Sequence, residues 1–382
     1  MMAERVPIDT YCEKKIPTLQ KTYDGLIDYV DISSVDNTEK KIISYQTIES
    51  TDAPSRAKQL LQKGDVLVST VRPNLNAVAV VEEETENLMV GSTGYCVLRC
   101  KDNMDVRYLF NFCQSQYFVD DMSSQATGAS YPAVSNGIVR SALIPCYSIE
   151  EQREIAEKMD TVSELLALCK QQLAELDELI KSRFIELFGD PETNPKGLEK
   201  VLLSDIAEYF NGLTYSPDNV TNDGTIVLRS SNIQNSQLDF ADTVRVNSSI
   251  KDKLFVKDND ILMCSRNGSA RLVGKVALIK NLSEPMTFGA FMMIIRSRYY
   301  PYLMTYFQMD AFRRQIATGA TTTINQITGN MLNKISLPLP NMADINEFAT
   351  FVEQTDKSKL AVQQSIAELE ELKKSLMQKY FG

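Results

Sequence analysis

Residues 174–189 read AELDELIKSRFIELFG, and residues 367–382 read AELEELKKSLMQKYFG. One helix is written twice, 193 positions apart, so the chain consists of two tandem copies of a single unit. The likeness continues upstream and keeps its order. Ala126-Thr127-Gly128-Ala129 returns as Ala317-Thr318-Gly319-Ala320, and Ile144-Pro145 returns as Leu337-Pro338. Farther back, KGDVLVSTVRPN (63–74) matches KDNDILMCSRNG (257–268), and Val97-Leu98-Arg99 faces Ile294-Ile295-Arg296. A period this long excludes a solenoid and indicates a duplicated domain. The copies agree best in the helix and least in the part that precedes it.

In the first copy apolar side chains recur at Ile155, Met159, Val162, Leu166, Cys169, Leu173, Leu176, Ile180, Phe184 and Leu187. Spacings of four and three alternate, which is the pattern of a helix packed along another long helix. Ser148 and Glu151 read as a capping box at its start, and Gly189 before Asp190-Pro191 ends it. The second copy places Ile345, Phe348, Val352, Val362, Ile366, Leu369, Leu372, Leu376 and Tyr380 on its seam, interrupted by Thr355 and Lys359. A helix of about 38 residues would be roughly 57 Å long, more than its own domain can cover, so each helix is expected to pair with the other.

The preceding segments hold short apolar or β-branched runs at 65–68, 77–81, 94–98, 226–228, 260–263 and 291–295, bounded by turn residues. The segments 106–119 and 302–316 read as one helix in each copy. The expected fold is α+β with a pseudo-two-fold internal repeat. Two tandem globular domains at 1–147 and 191–340, with mixed or antiparallel barrel-like sheets, are separated by two long antiparallel helices at 148–190 and 341–382 that form a coiled coil.

Composition narrows the chemistry. The chain has no histidine and no tryptophan, so a Ser/His or Cys/His nucleophile pair is excluded. Zinc would depend on cysteines whose only close spacing is Cys96 and Cys100, and carboxylate chemistry with magnesium stays open. Seven scattered cysteines fit reduced thiols, and the absence of an apolar signal-peptide core or membrane span leads to a cytoplasmic expectation with no membrane partner. The net charge of −10 is concentrated in the helices. Residues 1–149 carry 19 acidic and 14 basic side chains, whereas residues 191–340 carry 13 and 16. That balance permits a DNA partner without proposing one.

Two loops recur in both copies with groups suited to a nucleic acid. The first holds Ser69, Thr70, Arg72, Asn74 and Asn76, with Ser265, Arg266, Asn267, Ser269 and Arg271 as its counterpart. Arginine can pair with guanine through two hydrogen bonds, asparagine with adenine, and hydroxyls or backbone amides can hold phosphates. The second loop holds Thr127, Gly128, Ser130 and Tyr131, with Thr318, Gly319, Thr321, Thr322 and Asn325 opposite. A third turn, Arg229-Ser230-Ser231-Asn232, matches Asp31-Ile32-Ser33-Ser34 and contributes Arg229, Ser230 and Asn232. Composition alone also allows plain solvated loops at these places.

The order of variable domain, long helix ending in Phe-Gly, second variable domain and similar helix resembles the specificity subunit of type I restriction-modification enzymes. GDVLVS (64–69), NDILMCSR (259–266), the ATGA loops, the Pro145 and Pro338 entries to each helix and EEQREIAEKMD (150–160) resemble its recurrent phrases. The second helix start, Asn341 to Glu347, lacks the Glu-Gln-Arg phrase. The resemblance covers essentially the whole chain. It implies two target-recognition domains, each reading half of a bipartite double-stranded DNA target, held at fixed spacing by the paired helices. It also implies docking of two methyltransferase subunits and, through them, restriction or translocase subunits. S-adenosylmethionine, ATP and magnesium would sit on those partners, so this chain is expected to bind no cofactor and to be no enzyme. The competing readings are a DNA-acting enzyme with its own carboxylate and magnesium nuclease site, and a purely structural coiled-coil adaptor.

Overall fold

The computed structural model describes residues 4–318 and 325–382. Its two compact units cut across the copies: unit 1 joins Met1–Gln171 to Gln363–Gly382, and unit 2 is Gln172–Val362.

In unit 1 the strand Val66–Ser69 is buried along its whole length and lies between Tyr95–Leu98 and Val78–Val80, antiparallel to both. The two-residue period of a strand splits its side chains between two cores. Val66, Val68, Val78, Val80, Cys96 and Leu98 face the aromatic core around Tyr108 and Phe112. Leu67, Ala79, Val81, Tyr95 and Val97 face a smaller one. Unit 2 repeats the device: Ile261, Met263, Met293 and Ile295 line one core, and Leu262, Cys264, Met292 and Ile294 line the other. Burial on both faces explains why these strands read as continuous apolar runs.

A second, four-stranded sheet in each unit contains one parallel pair, Leu26–Val30 with Leu88–Ser92 in unit 1 and Thr225–Leu228 with Met286–Phe288 in unit 2. The mixed character of the sheets is therefore as expected, but the barrel-like expectation is corrected. The strands form separate open sheets of two to four strands. Closure requires a ladder that joins the two edge strands of a sheet, and none joins them among the described residues.

The frame is fixed by the same polar pair in both units. Asp65 accepts two hydrogen bonds from Arg99, at 2.8 and 2.7 Å, and Asp260 accepts two from Arg296, both at 2.7 Å. The backbone amides of Gln62 and Lys257 donate to the same carboxylates. Both aspartates are buried, and this fork geometry with an added amide keeps the buried charge satisfied.

The segments read as one helix per copy are two. Val106–Cys113 gives way to Gln116–Gln125, because the Ser115 hydroxyl accepts from the Phe118 amide and starts a new helix. Tyr300–Tyr306 and Asp310–Thr318 are divided likewise.

The long helices span Ile149–Phe188 and Met342–Phe381. Ser148 and Glu151 form the expected capping box, and Asn341 caps the second helix by accepting from the Asp344 amide. Gly189 ends the first helix at φ +78°, a left-handed backbone that glycine adopts without strain. On the seam, Ile155, Met159, Val162, Leu166, Ile180 and Val362 are buried, while Leu173, Leu176, Val352, Ile366, Leu369 and Leu376 are half-buried.

Within unit 2, Phe184 packs on Phe348 and Asp177 pairs with Lys359, so the two segments run in opposite directions. Thr355 and Lys359 occupy the seam, the threonine hydroxyl donating to the Phe351 carbonyl at 3.0 Å. Leu372 is corrected: it is 46% exposed, and Lys373, the counterpart of Ile180, takes the inward place. The spacing from Leu369 to Leu376 admits one residue of the seam between them, and position 373 satisfies it. Burial, with Lys170 nearby, holds the Lys373 ammonium below the usual lysine range.

Each helix end completes an aromatic core. In unit 1 the Phe381 ring lies 5.3 Å from Tyr108 and 5.9 Å from Phe112, and the Tyr108 hydroxyl donates to the Pro145 carbonyl at 2.8 Å. In unit 2 Phe188 lies 5.2 Å from Tyr302, whose hydroxyl donates to the Pro338 carbonyl at 2.6 Å. Phe188→Ala and Phe381→Ala should each cost about 3–5 kcal/mol in urea unfolding. Leu372→Ala, on an exposed face, should stay within about 0.5 kcal/mol of wild type.

Candidate nucleic-acid interface

The two loops singled out in each copy meet edge to edge. In unit 1 the Thr70 carbonyl accepts from the Val134 amide at 2.9 Å, the Arg72 amide donates to the Pro132 carbonyl at 2.7 Å, and Thr127 and Ala133 exchange two bonds of 2.9 Å. In unit 2 the Ser265 carbonyl accepts from the Ile327 amide at 2.7 Å, and Arg266 bridges to Gln326. The Asn267 side chain donates to the Ser230 hydroxyl at 3.3 Å, which brings the third turn to the same place. The strand that ends in each loop is held by the Asp–Arg pair behind it, so the loops stand on a rigid base.

Many of the candidate residues are spent on holding this arrangement. Ser69 and Thr70 are buried and donate to the Val71 and Gly94 carbonyls. Asn76 sits at φ +49°, donates to the Cys113 carbonyl and accepts from Lys40 at 3.0 Å. Asn232 is buried and donates to the carbonyls of Asp239 and Asp242. Arg229 is paired with Asp242 at 2.7 Å, and Ser265 is buried. Gly128 has φ +106°, and a Cβ there would lie 2.9 Å from the Tyr131 carbonyl, so the close return of this loop requires glycine.

Exposed candidates are Arg72, Asn74, Thr127, Ser130 and Tyr131 in unit 1, and Arg266, Ser269, Arg271 and Asn325 in unit 2. Ser230 and Asn267 are half-buried. Thr318 ends the helix Asp310–Thr318, and Gly319, Thr321 and Thr322 lie outside the described residues. The Arg72 guanidinium lies 4.8 Å from the Tyr131 ring centre, and that of Arg266 lies 5.3 Å from Phe291.

Two contributors escaped the sequence reading. The run 291–295 reads as a strand, but the strand is Met292–Arg296 and Phe291 lies on the turn before it, 59% exposed. Its place opposite Gly94 in the repeat register was the available signal. Lys40, on the hairpin Val35–Asp36 with Lys41–Ile42, ties that hairpin to Asn76. Among the described residues no group of three or more His, Cys, Asp or Glu side chains could hold a metal ion, and no helix is long and apolar enough to cross a membrane.

The family model for the type I restriction modification DNA specificity domain matches the chain twice, over residues 8–178 and 195–371. The chain is similar to the EcoKI specificity subunit of Escherichia coli K12, 24% identical over 312 residues that cover 75% of this chain and 67% of that protein. It is also similar to the StySPI specificity subunit of Salmonella potsdam, 22% identical, with 93% and 82% covered. A chain from a solved structure of type I R-M system assembly superposes with a TM-score of 0.61 at 24% identity, covering 100% of this chain and 97% of that one. The S subunit from M. genitalium gives 0.58 at 14% identity, with 99% and 96% covered. These two likenesses show the fold.

Burial pushes the Lys40 ammonium down to about 8, with Lys373 adding repulsion. A depressed value means that the folded unit releases this proton before the unfolded chain does. Its penalty is therefore full below about pH 8 and fades as pH rises toward the ordinary value of 10.5. Lys40→Met removes the group, so wild type should gain stability relative to this variant between those pH values. Denaturant midpoints for the two proteins, measured side by side, check this.

Proposed function

The chain belongs to the type I restriction modification DNA specificity family, and we propose that it reads a bipartite duplex target, one half through each unit. The observation that carries this reading is the paired-loop face. The same two loops meet in the same way in both units, yet the polar and charged side chains on them differ. A shared frame with variable tips is what two readers of different sequences need, because base edges are distinguished by side-chain donors and acceptors and not by the backbone that presents them.

In this reading the protein performs no chemistry. Methylation with S-adenosylmethionine and ATP-driven cleavage with magnesium belong to partner subunits. The long helices fix the distance between the half-sites and offer the docking surface for two methyltransferase subunits, through which restriction subunits join. The opposed helix segments of unit 2 and the seam repeated in both helices support the spacing role. Outward leucines recurring at Leu179 and Leu372, the same position of the repeat, support a docking role.

With globular parts near charge balance, binding by the isolated chain should be weak and should tighten with the methyltransferase subunits, which bring further phosphate contacts. Gel-shift titrations of a random duplex pool at two salt concentrations test this: binding should weaken at the higher salt. No binding at either salt would favour a structural adaptor. Incubation of the purified chain with DNA and magnesium should leave the DNA uncut, and cleavage without partners would overturn the non-catalytic reading.

A further inference from the structure

We infer that Arg72 and Arg266 are the base-reading forks of the two units, each aligned by an aromatic ring and each reading a G·C pair in its own half-site. The inference rests on the DNA-binding function proposed above and names the side chains that give it sequence preference.

Several other arginines of the two units are committed to ion pairs. Arg99, Arg140, Arg229, Arg245 and Arg296 each pair with a carboxylate at 2.6–2.7 Å. Arg72, Arg266 and Arg271 are exposed and have no carboxylate partner among the described residues, and of the three it is Arg72 and Arg266 that lie over a ring. Each of these two lies over an exposed ring, Tyr131 at 69% exposure and Phe291 at 59%. Neither ring belongs to a core cluster, so core packing does not account for two large aromatics at the surface. Their visible role is to brace a guanidinium.

Arg72 also holds a left-handed backbone, φ +50° and ψ +60°. Such a conformation is unfavourable for a side chain with a Cβ and persists where its surroundings impose it, commonly at functional positions. Here the Arg72 amide to the Pro132 carbonyl and the Leu75 amide to the Arg72 carbonyl impose it.

The two braces are not inherited copies of one contact. Equating the paired aspartates Asp65 and Asp260 sets Arg266 at the position of Val71, and the match of Val97-Leu98-Arg99 with Ile294-Ile295-Arg296 sets Phe291 at that of Gly94. Tyr131 comes from the other loop altogether. A contact kept for folding would reuse equivalent positions, whereas here the same feature is assembled from different residues at the same place in the fold. What the two units share is therefore the exposed, oriented guanidinium itself.

A guanidinium held over a ring loses little freedom on binding, and its planar fork carries paired donors. In the major groove guanine offers two adjacent acceptors, N7 and O6, that match those donors, whereas adenine pairs an acceptor with a donor. The fork thus selects G·C.

The test is selection from a randomised duplex library with the full-length chain, followed by sequencing, for wild type, Arg72→Lys and Arg266→Lys. Lysine keeps the charge but replaces the rigid planar fork with one rotatable ammonium on a flexible stem. Arg72→Lys should reduce the preference for one G·C pair by roughly ten- to a hundredfold in one half-site and leave the other half unchanged. Arg266→Lys should do the same in the opposite half. Replacing that guanine with 7-deazaguanine, which lacks the N7 acceptor, should reproduce the loss in wild type and add nothing in the variant.

Unchanged preferences in both variants, or weakening that is uniform across sequences with a shallower salt dependence, would overturn the inference and mark the arginines as phosphate contacts while the DNA-binding function stands. A wild-type chain that retains no duplex at all would fail at the earlier step and overturn both.

Discussion

The seating of Phe381 against Tyr108 in unit 1, and of Phe188 against Tyr302 in unit 2, is the contact on which the rest depends. Each phenylalanine ends a 40-residue helix, and each fills an aromatic core that the preceding domain of its own copy does not contain. Tyr108 and Tyr302 are in turn pinned by hydroxyl bonds to the Pro145 and Pro338 carbonyls, just before the helices begin. The start of one helix and the end of the other thus share a core in each unit. Neither copy can change its helix without disturbing the core of the other, which explains why these words were kept nearly identical while the intervening sequence diverged.

The divergence is confined by a second constraint. Each central strand is covered on both faces and anchored at its entry by a buried aspartate in an arginine fork. Side chains within the strand are committed to packing, so variation is tolerated only where the strand runs out into its loop. Those loops meet through backbone hydrogen bonds, which impose no side-chain identity. A frame held by backbone and core, with free side chains at its tips, suits a pair of modules that do one task on different sequences.

Much of this was legible in the sequence because it is local or repeated: the doubled helix, the Ser148 and Glu151 capping box, the Gly189 stop and the buried strands at 66–69 and 261–264. What was not legible depends on tertiary partners. Helical periodicity at 106–119 concealed the break at Ser115, whose hydroxyl competes for the backbone. The seam could be read through either Leu372 or Lys373, and packing chose the lysine. Asn76 and Asn232 looked like ligands for bases because nothing in the sequence reveals that a carbonyl stands opposite each amide. Phe291 read as one more strand residue, since exposure of a single aromatic has no sequence signature. The division of the chain into units that cross the copies follows from where the helix ends are seated, which no local pattern records.

The two globular parts act as independent readers on a common frame. A base-methylation map of DNA from cells carrying this chain with its methyltransferase subunits, compared with one in which residues 191–340 are exchanged for the corresponding segment of a relative, tests it most directly. The expected result is a bipartite methylated motif in which the exchange alters one half and preserves the other half and the spacing. A motif changed in both halves, or in neither, would contradict it.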